Sequence, residues 1–393
     1  MSQQLINRSP DLKRLRDEGY EIEIRSNHLL IQSVPYVNAN KDIKYGTLIS
    51  EITLAGDVTT KPGTHVAYFI GDHPCASDGT EIVQIKYGSQ PSTLASDIVA
   101  SHSFSNKPAQ GYDDYWHKMT RYIEIVSAPA KSLDPRVTAR TFKLIESKNE
   151  DDVFNYIDTA SSRAGITAIT HQLAMTKVAI VGLGGTGSYV LDLLAKTPVR
   201  EIHLFDGDTL LQHNAFRSPS AASIDELLSR PLKVTYFRDL YSKMRRNIMA
   251  HEVNISEENV AELKGFDFVF LCIDDGRVKK VIIEALHAAA TPFIDVGMGV
   301  QVIEGSRQLL AVCRVTTSTA HKSDHIDKRV SFSGDQGDNP YAQNIQIADL
   351  NALNAALAVI KWKKLCGFYQ DLELEHNSTY STNVNLLTSD ELA

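Results

Sequence analysis

The chemistry in this chain gathers behind one glycine-rich turn. The run from Val178 to Ser188 passes from an apolar strand into a helix. Gly182, Gly184 and Gly187 have the spacing of a nucleotide-binding fingerprint. The first glycine makes the tight turn, the second lets backbone N–H groups approach phosphate, and the third lets helix and strand pack closely. The helix N-terminus adds partial positive charge at the phosphates. Gly182, Gly184, Gly185, Thr186 and Gly187 are therefore the candidate cradle. Asp206 ends the next expected strand, where a carboxylate either bonds a ribose hydroxyl or caps the turn into Asp208. The glycine loop alone suits dehydrogenases and adenylating enzymes alike.

The residues that follow separate these chemistries. Asp208 precedes His213, Asn214 and Arg217; then come Arg230 and Lys233, and later Asp274, Asp275 and Arg277. Hydride transfer has no need of Arg, Lys and Asp near a triphosphate. Adenylation does: it neutralises phosphate charge, holds a divalent cation and lets pyrophosphate leave. Arginine and lysine supply the charge, and a carboxylate ending a later strand supplies the metal ligand. Each of these residues also has a plain structural reading, as a solvated loop charge or a helix-surface lysine.

In this order the stretch from Lys177 to about Val315 resembles the ThiF-type superfamily, which includes ubiquitin-activating enzymes and the adenylating enzymes of sulfur-carrier pathways. The family pattern is a G-x-G-G-x-G loop, D-x-D, S-N-L-x-R-Q, a G-x-P-K-like segment and a T-D-N-x-x-x-R-like segment. The resemblance implies that ATP, with Mg²⁺, is the cofactor, and that the glycine loop holds ATP. It implies Asp206 at the ribose, Asp208 and Asn214 among the nucleotide contacts, Arg217 and Lys233 on the β- and γ-phosphates, and Asp274 at the metal. It further implies adenylation of the C-terminal carboxylate of a ubiquitin-like or sulfur-carrier protein, a homodimer, and a conjugating enzyme as a downstream partner. Several positions depart from the pattern. His213, Ala215 and Ser218 replace serine, leucine and glutamine, Leu232 is an extra residue before Lys233, and Asp275 replaces asparagine. Arg230 is the alternative cation to Lys233. A large N-terminal region fused to such a unit also resembles the activating enzymes of bacterial ubiquitin-like conjugation operons.

Two residues outside the motifs are further candidates. Arg163 precedes the first strand, where the resemblance implies an arginine able to reach the partner's ATP in a dimer; its plain reading is a linker charge. Cys75, beside His73 in a turn expected to be exposed, is the candidate thiol for acyl transfer, because a neighbouring histidine lowers a thiol pKa; its plain reading is a turn cysteine. Cys272, Cys313 and Cys366 read as packing residues, and His321 and His325 as part of a solvated loop. Two rival classes stay open: a nucleotide-sensing docking module without catalysis, and an NAD-dependent oxidoreductase.

These side chains need a scaffold. From Lys177 onward strands alternate with helices, at 177–182, 201–206, 251–255, 268–272 and 293–296, with a helix over 233–249. This predicts an α/β fold with a Rossmann-like, mostly parallel sheet covered on both faces. A hairpin follows across 299–315, a polar loop over 316–340, and a last helix over 341–366 with Leu350, Leu353, Leu357 and Ile360 on one face. Residues 152–160 and 165–174 read as amphipathic helices. The first part reads as α+β, with a helix at 12–18 and strands at 21–24, 28–34, 64–70 and 81–87; residues 112–125 mix aromatics and charges and give no assignment. The expected division is an accessory or recognition domain at 1–150 and an adenylation domain at 151–393.

The bulk numbers agree with this reading. A chain of 393 residues has the length of two or three domains with real cores. A net charge of −8 gives no support to a nucleic-acid partner. No apolar run reaches membrane-spanning length, so no membrane partner is expected. The start of the chain lacks a signal-peptide pattern. The four cysteines form no Cys-x-x-Cys pair, so no structural zinc is expected. A cytoplasmic protein with reduced thiols follows.

Overall fold

The computed structural model describes residues 2–147, 152–332 and 345–392. The chain forms two compact units, 1–145 and 146–393.

In the first unit an antiparallel sheet runs in the order Ile22–Arg25, His28–Val37, Ile43–Glu51, Val66–Ile70, His102–Ser105, Lys86–Gly88. The helix Tyr115–Leu133 lies against it and occupies the stretch that the sequence leaves unassigned. Asp114 caps that helix by accepting from the His117 N–H at 2.7 Å. Tyr115, Met119, Tyr122, Ile123, Val126 and Ala130 form its buried stripe, and their aromatic content hides the helical period. Lys118 lies within the stripe, fully buried, and its Nζ donates to Ser50 Oγ and to the carbonyls of Thr64 and Val66. Burial pushes its pKa down to about 7.

The second unit is an eight-stranded sheet. Its elements are β1 (Lys177–Val181), α1 (Gly185–Leu194), β2 (Glu201–Phe205), α2 (Lys233–Ser242), β3 (Ile248–His251), β4 (Phe268–Leu271), α3 (Gly276–Ala288), β5 (Phe293–Ile303), β6 (Gln308–Ser318), α4 (Ala348–Leu365), β7 (Glu375–Ser381) and β8 (Leu386–Leu392). The order across the sheet is β3-β2-β1-β4-β5-β6-β7-β8. Pairing is parallel from β3 to β5 and antiparallel from β5 to β8. The expected Rossmann-like, mostly parallel architecture with an N-terminal sheet region is present. Along β1, Val178 and Ile180 enter one core with Leu191, Leu194 and Trp362, while Ala179 and Val181 enter another with Leu271, Ile282 and Leu286. This period-2 division buries both faces of the parallel strands.

Several local expectations are corrected. Residues 81–87 are not one strand. Glu81 bridges Cys75 and Ile82 donates to the Pro74 carbonyl, so a 3₁₀ turn, Val83–Ile85, follows before the short strand. Residues 152–157 are not helical. Phe154 bridges Arg245 and Tyr156 bridges Glu146, so long-range pairing overrides the local pattern, and only Thr159–Arg163 and Thr167–Thr170 form short helices. The helix from Lys233 stops at Ser242, because Arg245 is drawn into the core to donate to the carbonyls of Thr197 and Val199. The next strand consequently begins at Ile248 instead of His251. Strand β6 extends to Ser318, into the expected loop. The last helix starts at Ala348; its expected first turn, 341–344, and loop residues 333–340 lie outside the described residues.

Candidate nucleotide-binding site

Strand order reverses between β1 and β4, and at such a switch point loops diverge and leave a crevice at the strand C-termini. A cavity of about 740 Å³ opens there. Gly182, Gly184, Gly185, Thr186, Asp206, Asp208, Arg217, Lys233 and Asp274 all line it.

The glycine loop is shaped by contact. Gly182 has φ +89°, and a Cβ there would stand 2.8 Å from the Cys272 carbonyl oxygen. A Cβ on Gly187 would come within 1.9 Å of the Gly182 carbonyl oxygen. Gly187 is therefore the helix–strand packing glycine, and it does not face the cavity. Ser188 Oγ donates to the carbonyls of Gly184 and Gly185, and the first N–H groups of α1 have no partner within the helix.

Asp206 is 5% exposed and fastens this loop. Its Oδ2 accepts from the Leu183 N–H at 2.7 Å, and its Oδ1 from the Asp208 N–H at 2.8 Å. Lys233 opens α2, and its Nζ lies 2.6 Å from Asp208 Oδ2 and 3.5 Å from Asp206. The Lys233 ammonium holds the Asp208 carboxyl below the usual carboxylate range. Arg217 follows the short helix Gln212–Ala215; its Nε is buried without a hydrogen-bond partner. Asp274 lies exposed on the loop after β4, and Asp275 caps α3 by accepting from the N–H groups of Arg277 and Val278.

Not every expected residue reaches the cavity. Asn214 is buried and accepts from the Leu211 N–H at 2.8 Å, so it holds the Arg217 loop and does not line the cavity. Arg230 terminates the helix Ile224–Ser229 in a left-handed conformation, exposed and outside the lining. Arg163 is exposed at the end of its short helix, also outside the lining. His325 is not solvated: it is buried, with its Nε2 2.9 Å from the Thr317 carbonyl oxygen.

Cys75 belongs to the first unit and is 1% exposed, contrary to the expected open turn. Its N–H donates to the Val37 carbonyl, its Sγ donates to the His73 carbonyl at 3.3 Å, and burial, with Glu81, Asp72 and Asp78 nearby, pushes the thiol pKa up. The neighbouring histidine does not activate it. Iodoacetamide is expected to leave Cys75 unmodified in the native protein and to modify it after urea unfolding, read by peptide mass mapping. Rapid native labelling would return it to the list of candidate nucleophiles.

The sequence reading missed a second charged group. Asp295 on β5 is fully buried; Lys279 Nζ lies 2.8 Å from its Oδ1 and Arg314 Nη2 2.5 Å from its Oδ2. Lys279 occupies the arginine position of the T-D-N-x-x-x-R pattern counted from Asp274, which was the available signal. Three asparagines were also missed. Asn254 accepts from the Gly207 N–H. Asn351 on α4 accepts from Thr186 Oγ1 and donates to the Arg217 carbonyl. Asn354 donates to the Gly297 carbonyl. They come from a loop and a distant helix, and no local motif marks them.

The chain is similar to several known proteins. A domain of unknown function (DUF6791) matches residues 10–159, and the ThiF family model matches residues 151–361. Ubiquitin-like modifier-activating enzyme 5 of Culex quinquefasciatus is 23% identical over 162 residues, covering 38% of this chain and 41% of that protein; the chain thus spans about two fifths of this curated relative. Among solved structures, E. coli MccB with MccA-N7isoASN has a TM-score of 0.47 at 18% identity, covering 60% of this chain and 70% of that one. PaaA has a TM-score of 0.46 at 19% identity, with 57% and 76% covered. Because the ThiF match runs from residue 151 to residue 361, more than half of the sequence, the chain belongs to the ThiF family.

Proposed function

We propose that the second unit activates a carboxylate by adenylation. The carboxylate oxygen attacks the α-phosphate of ATP, the bond from that phosphorus to the bridging oxygen breaks, and pyrophosphate leaves with the electron pair. The observation that carries this reading is the convergence of the glycine loop, Asp206, Arg217, Lys233 and Asp274 on one cavity in a ThiF-family unit.

Each residue then has a task. The N–H groups of Gly184, Gly185 and Thr186, with the α1 N-terminus, hold phosphate oxygens. Asp206 Oδ2 accepts from the Leu183 N–H and from Lys233 Nζ, whereas Oδ1 accepts one hydrogen bond, from the Asp208 N–H, and keeps a lone pair for a ribose hydroxyl. Arg217 has an uncommitted Nε donor, and Lys233 has a third proton beyond those directed at Asp206 and Asp208; both meet the β- and γ-phosphates. Asp274, which lines the cavity, would hold Mg²⁺. Among the described residues no group of three or more His, Cys, Asp or Glu converges on a metal site. Asp274 would supply this unit's own oxygen ligand to a hard cation such as magnesium. When bound, it neutralises charge on the leaving pyrophosphate.

The substrate we propose is the C-terminal carboxylate of a ubiquitin-like protein, supported by the sequence match to a ubiquitin-like modifier-activating enzyme. The first unit, by this reading, recruits the carrier or a conjugating enzyme, and Arg163 serves the nucleotide of a second copy in a homodimer. Among the described residues no helix is long and apolar enough to cross a membrane.

ATP–pyrophosphate exchange tests the reading. A cognate ubiquitin-like protein is expected to stimulate exchange, and Asp274→Ala to lower it by about 10²-fold or more while the fold persists. ATP binding with no exchange for any carrier would indicate a nucleotide sensor. NADH binding without ATP binding would indicate an oxidoreductase.

A further inference from the structure

The second charged group lines the same cavity. One buried carboxylate, Asp295, is shared by two cations, Lys279 and Arg314, so the group carries one positive charge in excess. Both cations line the cavity. Arg314 is held in place on three sides. Its Nη2 meets Asp295, its Nη1 donates to Thr316 Oγ1, and its guanidinium packs over Gly297, where a Cβ would stand 2.7 Å from Nη2. Thr316 is fixed in turn by donating to Asn377 Oδ1 at 2.7 Å. The Arg314 side chain is 19% exposed. A charge already desolvated and already oriented binds an anion at little further ordering cost.

A second observation gives this site its shape. Asn354 is fully buried and lines the cavity; its Nδ2 donates to the same Gly297 carbonyl at 3.0 Å, while its Oδ1 has no hydrogen-bond partner. A buried acceptor left open costs free energy until an N–H meets it. Around Gly297 the cavity therefore offers a cation for an anion and, next to it, an acceptor for an N–H. A phosphate presents no N–H. A peptide C-terminus presents both groups, a carboxylate and the N–H of the last peptide bond.

We infer that Arg314 and Asn354 receive the C-terminal residue of the substrate, Arg314 taking one carboxylate oxygen and Asn354 the N–H of the last peptide bond. The other carboxylate oxygen stays free to attack. This rests on the adenylation reading for its consequence but not for its test. The probe is a panel of short fluorescein-labelled peptides, identical except for the last residue, each made as the free acid and as the C-terminal amide. Fluorescence anisotropy is measured with a saturating non-hydrolysable ATP analogue. The native protein is expected to prefer free acids by about 10-fold, the size of one charge-assisted hydrogen bond. Arg314→Gln removes that preference and leaves affinity for the ATP analogue unchanged, and Arg314→Lys restores part of it. Asn354→Ala weakens acid and amide peptides equally. The assignment is overturned if no peptide shows acid preference in the native protein, if Arg314→Gln keeps the preference, or if Arg314→Gln weakens the nucleotide instead. Acid preference without pyrophosphate exchange would remove the adenylation reading and leave this assignment standing.

Discussion

Asp295→Ala lowers the stability of the second unit by about 3–5 kcal/mol, read as a fall in the urea midpoint. The magnitude follows from what is left behind. Asp295 is completely buried, and Lys279, at 6% exposure, is nearly so. Removing the carboxylate leaves two cations facing each other with no compensating charge, the costly way to break a buried ion pair. Asp295→Leu combined with Lys279→Met and Arg314→Leu is expected to recover most of the loss, because it removes every buried charge of the group. A single Asp295→Ala variant within about 1 kcal/mol of the native protein would mean that water reaches the group and screens it.

Lys233→Met has the second large effect: a drop of about 10²–10³-fold in pyrophosphate exchange. The methionine keeps the length of the side chain and removes the charge on which two functions depend. One is neutralisation of the phosphates. The other is balance of Asp206, whose Oδ2 fixes the Leu183 amide and so the path of the glycine loop. The loss has an acid-range signature. The Asp208 pKa is lowered in the folded state, so its contribution to stability is complete above the ordinary value of about 3.9 and vanishes as pH falls through the lowered value. The variant lacks that contribution, so the stability gap between native protein and variant narrows on acidification. The effect is modest, because Asp208 is mostly exposed. Exchange within a fewfold of the native rate would transfer the phosphate role to another cation.

The glycine loop, Asp206, Lys233 and Asp274 could be read from the sequence because each belongs to a local pattern at the end of one strand or the start of one helix. The parallel strands were legible for the same reason: their residues are apolar on both faces. What escaped were decisions made by distant partners. Residues 152–157 look amphipathic, yet they pair with residues 146 and 245. Arg245 continues a helical pattern, yet its guanidinium enters the core and ends the helix. Cys75 looks exposed beside Asp72 and Asp78, yet a bridge to Val37 closes over it. Asp295, Arg314 and Asn354 carry no motif, because their meaning comes from the strand register that sets Gly297 opposite Arg314 and from the packing of α4 that brings Asn354 to the Gly297 carbonyl.

Asn351 sets an order of events in the life of the chain. It is fully buried, its side chain joins the start of α1 to the carbonyl of Arg217, and Thr186 precedes it by 165 residues. During synthesis every phosphate-facing residue therefore leaves the ribosome well before the helix that clamps two of them together. A nascent chain stopped before α4 has the complete nucleotide motif and an unfinished nucleotide site. ATP can thus reward folding of this unit only after α4 has been made and has docked.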